Sequence, residues 1–189
     1  MKLLRNRGFA VAVMVVFIIG SILGGSCCSL QKLSDDVQDL YHTGTDGLGD
    51  VSEYMSVCET CTGQLVELGN QYLGKDAAVC QTAETLLHQS ETSGQPAEQY
   101  TANQKLIKSA EALYTQLKAE PNLDATDLEK VERLYAEIAG NGDRVERISM
   151  QRRDAYNDAA ERFNKGPLRA FPGGLLANLL GVEKLDPIY

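Results

Sequence analysis

Tryptophan is absent from this chain, proline occurs only five times in 189 residues, and no stretch alternates apolar and polar side chains long enough to read as a strand. Val and Ile are sparse beyond residue 25, whereas Ala, Leu, Glu, Gln and Lys are plentiful. That balance favours helix over sheet. Positive charge is also in short supply, with 18 Lys and Arg against 26 Asp and Glu, a formal charge of −8. Lys2, Arg5 and Arg7 give the N-terminus +3, and the stretch from Asp143 to Arg169 is basic by +2, so the rest carries −13. A body this acidic argues against nonspecific nucleic-acid binding, which needs clustered Lys and Arg. Catalytic signatures are missing too: there is no G-x-S-x-G, no phosphate-binding P-loop and no H-E-x-x-H.

What is present begins with an uncharged run, Phe9 to Gly25. As a helix its 17 residues rise about 25 Å, near the short end of what crosses a hydrocarbon core of about 30 Å. Three basic residues precede it, and Lys32, Asp35, Asp36 and Asp39 follow. The positive-inside rule then puts residues 1–8 in the cytoplasm, residues 9–25 across the membrane and the bulk of the chain outside. An uncleaved signal anchor is the preferred reading, because Leu30, Leu33 and Val37 continue a helical pattern beyond the run. A signal peptide cleaved after Ser26 and a lipoprotein acylated on Cys27 are the alternatives, and all three place the remainder at a membrane or beyond it.

Helical stripes fill residues 26–170. Leu30 to Tyr41 steps by three and four and ends in a polar loop, His42 to Asp50, with Gly44, Gly47 and Gly49 as breakers. A long stripe runs through Val51, Met55, Cys58, Thr62, Leu65, Leu68, Tyr72, Val79, Ala83 and Leu86, weakened by Gly63, Gly69 and Gly74. A kink or break is expected at Gly74-Lys75-Asp76. Gln89 to Glu98 reads as a connection, and Leu106, Ile107, Ala110, Leu113, Tyr114 and Leu117 form a third stripe closed by Glu120-Pro121. Asp124 or Thr126 caps a fourth, from Leu128 to Phe163, which Gly140-Asn141-Gly142 interrupts and Gly166-Pro167 stops. The tail, residues 171–189, is too apolar to be a free end and must bury Leu175 to Val182 against something. The expected fold is all-α: a transmembrane helix followed by an antiparallel bundle of long helices.

Candidate chemistry is thin. Cys58-Glu59-Thr60-Cys61 is a C-x-x-C, but it lacks the strand of a redox fold and lies on the apolar stripe, so core packing is the expected role. Cys58, Cys61, Cys80 and His88 would make a zinc set only if the chain folded back at Gly74, since Cys58 and Cys80 otherwise stand 22 residues, about 33 Å, apart. His42 sits in the glycine-rich loop, and neither histidine has a nucleophile matched to it. Arg144, Arg147, Arg152, Arg153, Arg162, Lys165 and Arg169 could meet anionic lipid or an acidic partner. The pairs Asp143/Arg147, Asp158/Arg162 and Glu161/Lys165 favour a neutralised surface instead. No catalytic, cofactor-binding or metal-ligating residue is assigned, and no cofactor is expected.

Arg153 to Asn164 reads RDAYNDAAERFN, followed by Arg169-Ala170-Phe171-Pro172, a short apolar segment from Leu175 to Gly181, and a terminal Tyr189. This resembles the C-terminal signature of the LemA family. Asn103-Gln104-Lys105-Leu106 and Lys118 to Leu123 are similar to that family's third helix and the turn after it. Ahead of Asn103 the likeness is slight, with Gly63-Gln64-Leu65-Val66 where the family has a D-L-I-P-N-L-V box. The resemblance implies a membrane-anchored helical bundle and no reaction. The expectation is a non-enzymatic, single-pass scaffold with protein partners or self-association; the alternative is a lipid or cell-envelope ligand binder using the tail and the basic face.

Overall fold

The structure, a computed structural model, describes residues 7–189, without the side chains of residues 7–10 and 12. Lys2 and Arg5 of the basic flank, and most of the expected cytoplasmic segment 1–8, lie outside the described residues. Among the described residues there are six helices and no strand: α1 (Arg7–His42), α2 (Val51–Tyr72), α3 (Ala78–Thr92), α4 (Pro96–Lys118), α5 (Ala125–Lys165) and α6 (Gly173–Leu180). The fold is all-α, with an apolar N-terminal helix ahead of packed helices. The chain divides into two compact units.

The larger unit holds residues 38–157 and the last four, Asp186–Tyr189. Its expected long stripe breaks where the glycine predicts: Gly74 takes φ +88°, open to glycine at little cost, and the chain folds back there. Asn70 Nδ2 then donates to Glu84 at 2.8 Å and Ser90 Oγ to Glu59 at 2.6 Å, so α2 and α3 run antiparallel. The connection after α3 is shorter than the expected Gln89 to Glu98: α3 persists to Thr92, and Pro96, which lacks an N–H and suits a first turn, already opens α4. Tyr114 stacks on Tyr135 at 4.1 Å, and Lys118 pairs with Glu132 at 2.9 Å, which sets α4 antiparallel to α5. The core is the union of four stripes, with Leu65, Cys80, Ala83, Leu113, Leu117, Val131 and Ile138 fully buried.

Asp124, not Thr126, caps α5, its Oδ1 accepting from the Asp127 N–H at 2.9 Å. The expected interruption at Gly140-Asn141-Gly142 does not occur, and α5 is one helix of 41 residues. Gly142 serves a different purpose: a Cβ there would stand 2.8 Å from Ile107 Cδ1, so the missing side chain lets α4 and α5 approach. Gly69 does the same on α2, where a Cβ would meet Cys80 Sγ at 2.8 Å and Leu113 Cδ1 at 2.9 Å.

The other unit joins the described part of α1 up to Val37 to residues 158–185. From Val11 to Ile22 all the described large apolar side chains of α1 except half-buried Val13 stand 47–71% exposed, and one stretch of this helix is long and apolar enough to cross a membrane. The first buried residue among those described is Leu30, 3% exposed. α5 ends before Gly166-Pro167, as the breaker pair requires. Gly173 sits so close to the Pro167 carbonyl that a Cβ would collide with it, and only glycine fits. The α6 helix that follows closes on Gly181, left-handed at φ +67°, its N–H donating to the Ala177 carbonyl. α6 buries Leu176 and Ala177 and leaves Leu175 and Leu179 outside.

Candidate functional site

The densest polar arrangement lies at the end of α1. A helix C-terminus leaves carbonyls without intrahelical partners. Here those of Tyr41 and His42 accept from Arg152 Nη1, at 3.0 and 2.5 Å. The same guanidinium donates through Nη2 to the Gly49 carbonyl at 2.8 Å and to Asp46 Oδ1 at 3.0 Å. Gly44, at φ +59°, makes room, since a Cβ there would stand 2.5 Å from Arg152 Nε. Asp50 completes the loop by capping α2, accepting from the Ser52 N–H at 2.8 Å. One buried arginine therefore fastens both ends of the 43–50 loop.

Electrostatics follow from that burial. The hydrogen bond from Arg152 holds the Asp46 carboxyl below its ordinary range. Burial lowers the His42 imidazole, against an opposing pull from Asp50 and Asp39. Tyr41, fully buried, shares a 2.8 Å hydrogen bond with Ser149 and meets Tyr156 edge-on at 6.0 Å. Burial pushes both phenols up, Tyr156 to about 12. These groups keep one protonation state near neutral pH. Their hydrogen bonds and ring contacts hold the loop and the end of α1 together.

The cysteines divide by depth. All five are free. Cys58 is fully buried, points its Sγ at the Ile138 carbonyl (3.7 Å) and is pushed up to about 12 by burial and by nearby Cys61. Burial raises Cys61 and Cys80 as well, so none of the three is primed as a thiolate. The fold-back at Gly74 that a zinc site would need does occur, yet among the described residues no three His, Cys, Asp or Glu side chains gather as metal ligands. His88 lies on α3, away from any such group.

The basic run scatters. Arg152 is 3% exposed and committed to the loop. Arg144 lies over the Tyr54 ring at 5.6 Å, and Arg153 pairs with Asp154 at 3.5 Å. Of the three acid-before-base pairs, Glu161 and Lys165 form an ion pair; among the described residues the other two do not close. What sequence reasoning missed is the role of Arg152. The available signal was its place on an apolar stripe, one helical step from both Ile148 and Tyr156.

The tail is tied down by side-chain amides. Asn164 donates Nδ2–H to the Leu185 carbonyl at 2.7 Å and accepts the Leu185 N–H on Oδ1 at 3.0 Å. Asn157 treats Ile188 in the same way, at 2.9 Å in both directions. Tyr156 Oη donates to the Asp186 carbonyl at 3.1 Å.

Taken together, these features define an all-helical protein with an exposed apolar N-terminal helix and polar groups spent on holding loop and tail. The LemA family model matches residues 59–188, and the chain belongs to the LemA family. The match begins at Glu59, well ahead of Asn103, so the second helix shares in it despite Gly63. That family is not known as an enzyme family. Comparison with curated proteins finds no match.

Proposed function

We propose that this protein is a single-pass, membrane-anchored scaffold whose helical bundle engages protein partners, or a second copy of itself, on the extracytoplasmic side. The observation that carries the reading is the bare apolar surface of α1: Val16 and Phe17 are 69% and 71% exposed, in a helix that continues without a break to His42. In water such a surface is unstable, whereas in a bilayer it is the required one. The basic residues ahead of it, Lys2, Arg5 and Arg7, favour a cytoplasmic N-terminus. Family membership and the structural use of the perturbed side chains support a binding role over a catalytic one.

Expressed in a bacterial host, the chain should sediment with membranes, and protease added to intact spheroplasts should digest the bundle. Full protection of the bundle would overturn the topology. Mass spectrometry after pull-down from detergent-solubilised membranes should return specific partners or the chain itself; a bundle that captures neither speaks against the scaffold.

A further inference from the structure

We propose that the exposed face of α6, with Phe171, lies in the headgroup–acyl boundary of the same bilayer that α1 crosses. The proposal rests on the anchor reading above. α6 is apolar on its inner side, and its outer side carries Leu175 and Leu179 beside Asn178. Leu176 and Ala177 are buried, while Leu175 is 62%, Leu179 76% and Phe171 89% exposed. An eight-residue helix is too short to hold itself in water, so its inner face explains why it docks, and its outer face still lacks a cover.

Position says what covers it. A groove of about 290 Å³ is lined by Gly25, Ser26 and Ser29 of α1 together with Phe171, Pro172 and Gly173. Gly25 ends the strongly apolar part of α1: Ser26, Ser29 and Gln31 follow, and the first charge is Lys32. The lining residues of α1 therefore begin where the run leaves the hydrocarbon, and Phe171 stands at that level.

Charge agrees with this placement. Arg169, two residues before Phe171, is exposed, as is Lys165, which pairs with Glu161. A cation beside an inserted aromatic suits the phosphate layer. The nearest acidic residues of α1 after the run, Asp35 and Asp36, lie about 15 Å further along the helix, clear of the headgroups. A protein partner or a second copy could cover Phe171, but neither would require it to sit level with the end of the apolar run.

The absence of Trp provides the test. Full-length Phe171→Trp, Leu179→Trp and Ile18→Trp are reconstituted singly into phosphatidylethanolamine–phosphatidylglycerol vesicles. The lipids are brominated either near the headgroup or near the chain end. Expected is blue-shifted emission for Phe171→Trp and Leu179→Trp, quenched most by the shallow bromines. Ile18→Trp should be quenched most by the deep ones. If Ile18→Trp is quenched while the other two emit as in water and are quenched by iodide, the proposal is overturned and the anchor stands. If Phe171→Trp is blue-shifted yet blind to both lipids, protein covers it, and the proposal is likewise overturned. If Ile18→Trp ignores the lipids altogether, the anchor reading falls and the proposal falls with it.

Discussion

Arg152 on α5 reaches the Asp46 carboxylate at 3.0 Å from a side chain only 3% exposed, while Asp46 itself stays partly in water. The pair is lopsided: the arginine is the buried partner, and three backbone carbonyls share its donors.

That asymmetry orders the variants. Arg152→Ala leaves the carbonyls of Tyr41, His42 and Gly49 without their donor and opens a void, and should cost about 3–5 kcal/mol, the range for breaking a buried charged network. Arg152→Lys should recover only part, because an ammonium cannot fork to four acceptors. Asp46→Asn should cost much less than either. Urea denaturation of the three variants checks the order; an Asp46→Asn loss equal to that of Arg152→Ala would contradict it.

Acid should weaken the bundle in two stages. His42 is lowered by burial, so its folded value lies below its unfolded value of about 6.5. A depressed group contributes stability that is present above the unfolded value and lost as pH falls through the folded one. Stability should therefore decline from about pH 6.5 downwards, and His42→Gln should flatten that limb. Asp46 is also depressed, so its contribution survives that limb and disappears only at lower pH, below the ordinary carboxylate value of about 4. Melting temperature against pH for wild type and His42→Gln tests the sign; a wild type that gains stability between neutral pH and mild acid would refute it.

Three helical glycines should answer alanine differently. Gly140 has nothing within 4 Å of a notional Cβ, and Gly63 meets only Leu87 at 3.6 Å. Alanine at either should stabilise by up to about 1 kcal/mol through helix propensity. Gly69→Ala should instead destabilise by about 1–3 kcal/mol through overpacking against Cys80 and Leu113, which exceeds the propensity gain. Adding Cys80→Ala should restore part of the loss, and a double-mutant cycle by thermal melting would show the coupling.

Two asparagines have opposite roles. Asn164 uses both amide atoms on the Leu185 backbone, so Asn164→Ala should cost about 1–3 kcal/mol and expose the tail to carboxypeptidase. Asn103, fully buried on α4, reaches only the Cys58 thiol, a weak partner, among the described residues. Asn103→Leu, similar in size and apolar, should raise the melting temperature. A fall on Asn103→Leu matching that of Asn164→Ala would show that Asn103 is satisfied after all.

Periodicity was enough to determine the helices, because a residue's neighbours on its own helix depend only on spacing. Val51, Cys58, Leu65, Leu106, Leu113, Val131 and Ile138 were readable as inward-facing from their steps of three and four, and all are fully buried. The uncharged run, the breaks at Gly74 and Gly166-Pro167, and the family signature were equally local. Only the tertiary structure decided the rest. Gly74 announces a break but not a reversal; the reversal depends on Gly69 admitting Cys80 and Leu113 from other helices. Gly140-Asn141-Gly142 looked like an interruption because propensity counts each glycine against the helix, yet packing around Ile107 keeps α5 continuous. Arg152 looked like surface charge because its partners, the carbonyls of Tyr41, His42 and Gly49, are backbone atoms that carry no mark in a sequence. They lie more than a hundred residues away, and only folding brings them within 3 Å.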